Sequence, residues 1–122
     1  SVSKVKELNE IDNDDLILDI GPKTIDTIKK VIENSETVLW NGPAGYFENP
    51  NFANGSYEIA KAIVKKNKNK SIYSVVGGGD TIAALEMANV KNEFSYISTG
   101  GGALLELLEG RKLPGLKALN IL

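Results

Sequence analysis

The residues best placed to do chemistry lie in two runs built on one plan, Gly77-Gly78-Gly79-Asp80-Thr81 and Ser98-Thr99-Gly100-Gly101-Gly102-Ala103. Each follows a short β-type run and leads into a helical pattern. Glycine lets backbone approach a ligand closely, and the first amides of a helix, at the positive end of its dipole, favour an anion. In a parallel sheet both turns would open at the carboxyl ends of the strands, where open α/β sheets bind ligands. Two such turns side by side describe a polyphosphate cradle, whereas a single one serves equally well for tight strand-to-helix packing. Neither G-x-x-x-x-G-K-[ST] nor G-x-G-x-x-G occurs, so this is not a P-loop or a dinucleotide fingerprint.

Asp80 has two uses at the end of the first triple glycine: capping the helix that begins there, or holding the magnesium that accompanies a nucleotide polyphosphate. Thr81 and Thr99 can donate to phosphate oxygens or act as caps. A third candidate is the loop Asn41-Gly42-Pro43-Ala44-Gly45-Tyr46-Phe47-Glu48. Asn41 has the chemistry to orient a phosphate and Glu48 to accept from a ribose diol; the alternative is a structured turn. Trp40 and Phe47 read as core. With no Cys and no His in the chain, thiol and imidazole catalysis and the soft ligands of zinc are excluded. Any metal must be hard, held by carboxylate and phosphate oxygens.

The elements that must position these residues alternate. Leu16 to Ile20 reads as a strand, and Gly21-Pro22 opens a helix with Ile25, Ile28, Val31 and Ile32 on one face. Thr37 to Trp40 reads as the next strand, followed by a long Gly/Pro/Asn-rich loop, Asn41 to Asn54, the kind of connection that carries function. A helix follows from about Gly55 to Lys66, with Ile59, Ala60, Ile63 and Val64 spaced for burial. Ser71 to Val76 and Phe94 to Ser98 are further strands, each leading through its triple glycine into a helix, the last closed by Gly110. The pattern predicts an α/β fold with a parallel sheet of about four strands and helices on both faces, Rossmann-like and three-layered. So small a parallel sheet is expected to be an incomplete part of a larger lobe.

Composition fits a globular domain: 122 residues, 42% apolar and 25% charged, with no apolar run near the roughly 20 residues that span a bilayer. A formal net charge of −2 argues against general affinity for nucleic acid. Lys65, Lys66, Lys68 and Lys70 read as a solvated helix end, where cations suit the dipole. The charged start lacks Met and an apolar leader, so an upstream portion is expected, with the cytoplasm as the default location.

The strings Asp19-Ile20-Gly21-Pro22-Lys23-Thr24, Leu39-Trp40 through Glu48, Gly77 to Thr81, and Ser98 to Ala103 continuing through Leu107-Leu108-Glu109-Gly110-Arg111-Lys112-Leu113-Pro114-Gly115 resemble phosphoglycerate kinases, in that family's order. The likeness runs from about Asp19 to Leu119. It implies the C-terminal half of a nucleotide-binding lobe (residues 1–122) without the N-terminal triose-binding lobe. The parent would be a monomeric glycolytic enzyme that transfers a phosphoryl group between 1,3-bisphosphoglycerate and ADP, giving 3-phosphoglycerate and ATP, with magnesium.

By that resemblance Asp80 would hold magnesium, while Gly77, Gly78, Gly79 and Thr81 would meet the nucleotide phosphates. Asn41 would lie by the phosphate chain, Pro43 would border base and sugar, and Glu48 would take the ribose hydroxyls. Gly100, Gly101 and Gly102 would receive the transferred phosphoryl group. Tyr46 departs from the aliphatic residue usual there. The family's triose-binding Arg and His cluster and its Gly-Gly-x-Lys segment have no counterpart, so the chain alone is expected to be inactive. A stand-alone phosphate-binding module and a fragment that self-associates are the competing expectations. The last residues, Lys117 to Leu122, are expected to be poorly anchored.

Overall fold

The computed structural model describes residues 3–69, 71–99, 105, 106 and 108–110. Helix α1 spans Pro22–Glu33 and begins at a proline, whose missing N–H falls where no intrahelical acceptor exists. It buries Ile25 and Ile32 and half-buries Ile28, but Val31, expected on the same face, is 62% exposed. Strand β1, Thr37–Asn41, follows. The long connection after it contains one 3-10 turn, Pro50–Phe52, and leads into helix α2, Asn54–Lys68, whose Ile59, Ala60, Ile63 and Val64 are all buried as their spacing predicts. Strand β2 is Tyr73–Gly77, helix α3 is Gly79–Met87 and strand β3 is Tyr96–Ser98.

The three strands are parallel and ordered β1-β2-β3. Leu16 to Ile20, expected as a strand, joins no ladder and bends at Asp19. Leu16 and Ile17 are exposed, and the Leu18 carbonyl accepts instead from the Tyr46 amide at 2.8 Å. The segment spends its hydrogen bonds on the loop after β1 rather than on a strand.

One face of the sheet carries the core. Trp40, Ile72 and Val76 pack with Ile32 of α1, Ile59 and Ile63 of α2, Leu85 of α3 and Phe94. Ile63, Val76 and Leu85 have no solvent-accessible surface, and burying each such side chain is worth about 1.5–3 kcal/mol. The alternate residues Leu39, Tyr73 and Tyr96 point the other way and are about half exposed, at 45, 54 and 55%. Helices α1, α2 and α3 all pack against this face. For α2 and α3 the strand order explains this: they are the crossovers from β1 to β2 and from β2 to β3, and right-handed crossovers that step in one direction along a parallel sheet deposit their helices on the same side.

Ends of elements are closed by side chains from elsewhere. The Lys66 ammonium donates to the carbonyls of Ile32, Glu33 and Ser35 at 3.3, 2.9 and 2.6 Å, satisfying the C-terminus of α1 with a cation at the negative end of its dipole. Lys66 is thus half-buried structure rather than part of a solvated basic cluster. Ser74, fully buried in β2, accepts from the Ser95 amide at 2.9 Å, and the Ser95 hydroxyl donates to Asn67 at 3.1 Å, which fixes the entry to β3. Lys70, the second triple glycine Gly100 to Gly102 and the tail Lys117 to Leu122 lie outside the described residues.

Candidate functional site

The parallel register sets Asn41 opposite Gly77, and Gly77 opposite Ser98. The three strands therefore end level, and the chain leaves each of them at one edge: into Gly42 after β1, into Gly78 before α3, and into Thr99 after β3. The sequence expectation that these turns share an edge is met for every described residue. The edge is also where an open parallel sheet concentrates ligand-binding backbone.

Gly78 makes the first turn possible. Its φ is +93°, a conformation that side-chain-bearing residues rarely adopt, and a Cβ there would stand 3.3 Å from the Asn41 side-chain oxygen. It serves as the N-cap of α3 without any capping side chain. Helical geometry then leaves the amides of Gly79, Asp80 and Thr81 without intrahelical acceptors. A Cβ placed on Gly79 would meet nothing within 4 Å, so the helix start faces open space.

Asp80 is exposed in this first turn, one residue inside the helix. Because Gly78 holds the N-cap position, the capping use of Asp80 is not the one the structure displays. Among the described residues no three acidic side chains converge on a point that could hold a metal ion. One carboxylate plus phosphate oxygens and water is nonetheless a donor set that suits magnesium, which is commonly bound through one or two carboxylates and substrate phosphates.

Thr81 has no exposed surface, and its hydroxyl oxygen accepts from the Gly42 amide at 2.6 Å. This bond ties the loop after β1 to the start of α3. Trp40, buried as expected, adds a second tie by donating its indole N–H to the Gly42 carbonyl at 2.7 Å. The Ser56 hydroxyl accepts from the Ala44 amide at 2.9 Å. Phe47 is 3% exposed and packs with Ala53 and Ala84, so the loop is pinned onto α2 and α3 by an apolar plug.

Pro43 is half-buried on this loop, while Glu48 and Tyr46 are exposed. Direct contact joins Gly42 to Thr81, and Asn41 lies close to Gly78. The aromatic ring of Tyr46 points to solvent at 53% exposure, so the departure from an aliphatic residue at this position leaves the apolar plug undisturbed.

Sequence reasoning named no role for Asp19 or Ser56. Asp19 accepts from the Ile20 and Gly55 amides at 2.9 and 3.0 Å. Its only sequence signal was membership of the string Asp19-Ile20-Gly21-Pro22.

A family model described as phosphoglycerate kinase matches residues 1–111. Among curated relatives, a phosphoglycerate kinase of Buchnera aphidicola is 49% identical over 116 residues, covering 95% of this chain and 29% of the relative. One of Plasmodium falciparum is 56% identical over 103 residues, covering 84% of this chain and 24% of the relative. The solved phosphoglycerate kinase of Coxiella burnetii superposes with a TM-score of 0.87 at 43% identity, over 96% of this chain and 29% of that one. For that of Pyrococcus horikoshii the values are 0.75 and 38%, over 87% and 25%. The chain therefore spans under a third of the length of the relatives it matches.

Proposed function

The chain belongs to the phosphoglycerate kinase family, and from that membership we propose that it is the C-terminal part of the nucleotide-binding lobe of a longer kinase. That kinase transfers a phosphoryl group between 1,3-bisphosphoglycerate and ADP; the chain supplies part of the nucleotide site and no triose site. The observation that carries this reading is the level strand edge of Asn41 and Gly77, from which Gly78 turns into α3 with Gly79 and Asp80 exposed in its first turn.

Phosphoryl transfer asks the protein chiefly for positioning and charge neutralisation. The amides of Gly79 and Asp80, in the exposed first turn, donate to phosphate oxygens at the positive end of α3. Gly77 and Gly78 keep the approach clear of side chains, and Asn41 beside them orients the phosphate chain. Pro43 and Glu48 lie on the loop that borders the sugar, Glu48 accepting from its hydroxyls. Magnesium, when bound with the nucleotide, neutralises phosphate charge, and Asp80 is the residue of this chain that would hold it. Gly100 to Gly102 are assigned to the transferred phosphoryl group by their place in the family motif. The partner substrate, 3-phosphoglycerate, requires a second lobe. No helix among the described residues is long and apolar enough to cross a membrane, and the cytoplasm is the location that suits a glycolytic kinase.

Calorimetric titration of the purified chain with magnesium-ADP tests the site. Weak binding is expected, lost with Asp80→Asn when magnesium is present and little changed when it is absent. Equal affinity of both proteins for magnesium-ADP would remove Asp80 from the metal role. The chain alone is expected to show no ATP turnover with 3-phosphoglycerate, since losing even one charge-stabilising group costs about 10³–10⁵ in such reactions. Measurable turnover would refute the division of labour proposed here.

A further inference from the structure

We infer that Asp19 is a positioning residue for the nucleotide loop, fixing its far end at Gly55 while the neighbouring Leu18 carbonyl fixes Tyr46, from a segment that belongs to neither strand nor helix. This rests on the nucleotide reading above for its functional side and on geometry alone for the clamp.

Three contacts carry the inference. At the near end of the loop, the Leu18 carbonyl accepts from the Tyr46 amide at 2.8 Å. At the far end, one Asp19 oxygen accepts from the Gly55 amide at 3.0 Å while the other accepts from the Ile20 amide at 2.9 Å. Gly55 lies in the first turn of α2, whose N-cap residue, Ala53, offers no side-chain acceptor. Asp19 therefore does at long range what a capping side chain does locally, with a negative charge at the positive end of the helix. Two donors on two separate oxygens call for a carboxylate, because an amide side chain presents a single accepting oxygen.

The glycines record the same fit from the opposite side. A Cβ on Gly45 would stand 2.6 Å from an Asp19 oxygen and 2.7 Å from the Leu18 carbonyl, and one on Gly55 would overlap the Asp19 carboxylate. At Gly45 the Phe52 carbonyl closes the space as well, at 2.8 Å, and at Gly55 the Ile20 side chain does, at 2.7 Å. Between the two glycines run Tyr46, Phe47 and Glu48, so the placement of Glu48 depends on the Leu18–Tyr46 bond on one side and the Asp19–Gly55 bond on the other. Asp19 itself is half-buried.

The test pairs amide hydrogen exchange of the purified chain with kinetics of the full-length gene product. Asp19→Ala, which removes both accepting oxygens, is expected to cut protection of the Gly55 amide by about tenfold or more, the scale of a lost charge-assisted hydrogen bond. The amides of Ile63 and Val76 in the core keep theirs. In the full-length protein the KM for nucleotide rises while the KM for the triose substrate is unchanged. Gly55→Ala has the same effect by displacing the carboxylate, and adds little in an Asp19→Ala background because the two act through one contact. Unchanged exchange at Gly55 overturns the clamp. Lost protection with an unchanged nucleotide KM overturns the positioning role. A wild-type protein that binds no magnesium-ADP instead sinks the nucleotide reading, and the exchange data still decide the clamp.

Discussion

Replacing Thr81 by Val would isolate one hydrogen bond that joins two parts of the candidate site. Valine has nearly the shape of threonine, so the fully buried position stays filled, but the acceptor for the Gly42 amide disappears. The bond is short at 2.6 Å and the amide is partly buried, so leaving it unpaired costs about 1–3 kcal/mol. With an unfolding entropy of roughly 2.1 cal/mol/K per residue over 122 residues, that is a fall in Tm of about 4–12 °C. Thr81→Ser keeps the oxygen and loses one buried methyl group, for about 1 kcal/mol. Thermal and urea unfolding followed by circular dichroism would rank the variants, with an unchanged m-value showing that the unfolded state is not responsible. A Thr81→Val protein within about 0.5 kcal/mol of wild type, or more stable than Thr81→Ser, would mean that packing holds this junction and the hydroxyl does not.

Lys66→Met is expected to destabilise by about 1 kcal/mol, since it strips the Ile32, Glu33 and Ser35 carbonyls of a charged donor, while Lys65→Met at the exposed neighbour stays within about 0.5 kcal/mol; urea midpoints compare them. Glu58 is held below the ordinary glutamate range chiefly by the hydrogen bond from Lys29, 2.6 Å away on α1. A carboxyl with a depressed folded pKa stabilises the fold above its unfolded value, about 4.3, and loses that contribution as pH falls through the folded value. Stability measured from pH 6 down to pH 3 should therefore decline less steeply for Glu58→Gln than for wild type, and parallel curves would remove the pair from the acid response. The uncovered sheet face of Leu39, Tyr73 and Tyr96 is expected to make the isolated chain self-associate at high concentration. Sedimentation velocity should show Tyr96→Lys to be more monomeric, and an identical distribution for both proteins would place any association elsewhere.

What could be read without coordinates was local. Proline at the start of α1, the apolar spacing of Ile59, Ala60, Ile63 and Val64, and glycine where β2 turns into α3 follow from backbone preference and periodicity within a few residues. The ordered motifs also carried the family, because glycine, proline and carboxylate positions constrain a ligand edge more tightly than apolar positions do. Leu16 to Ile20 shows the limit: an apolar run is compatible with a strand, but pairing depends on what lies alongside, and here the loop after β1 takes the Leu18 carbonyl and the Asp19 carboxylate. Lys66 fails in the same way, since Lys65, Lys66, Lys68 and Lys70 look alike in sequence until one meets the end of α1, more than thirty residues away. Asp80 was ambiguous between cap and ligand because a shift of two residues in the helix start decides it, and only the positive φ of Gly78 fixes that start. Local preference is encoded within a turn of chain; the pairing of donors and acceptors across the fold is a property of the packed whole, and it is the packed whole that selects Asp19, Thr81 and Lys66 for their tasks.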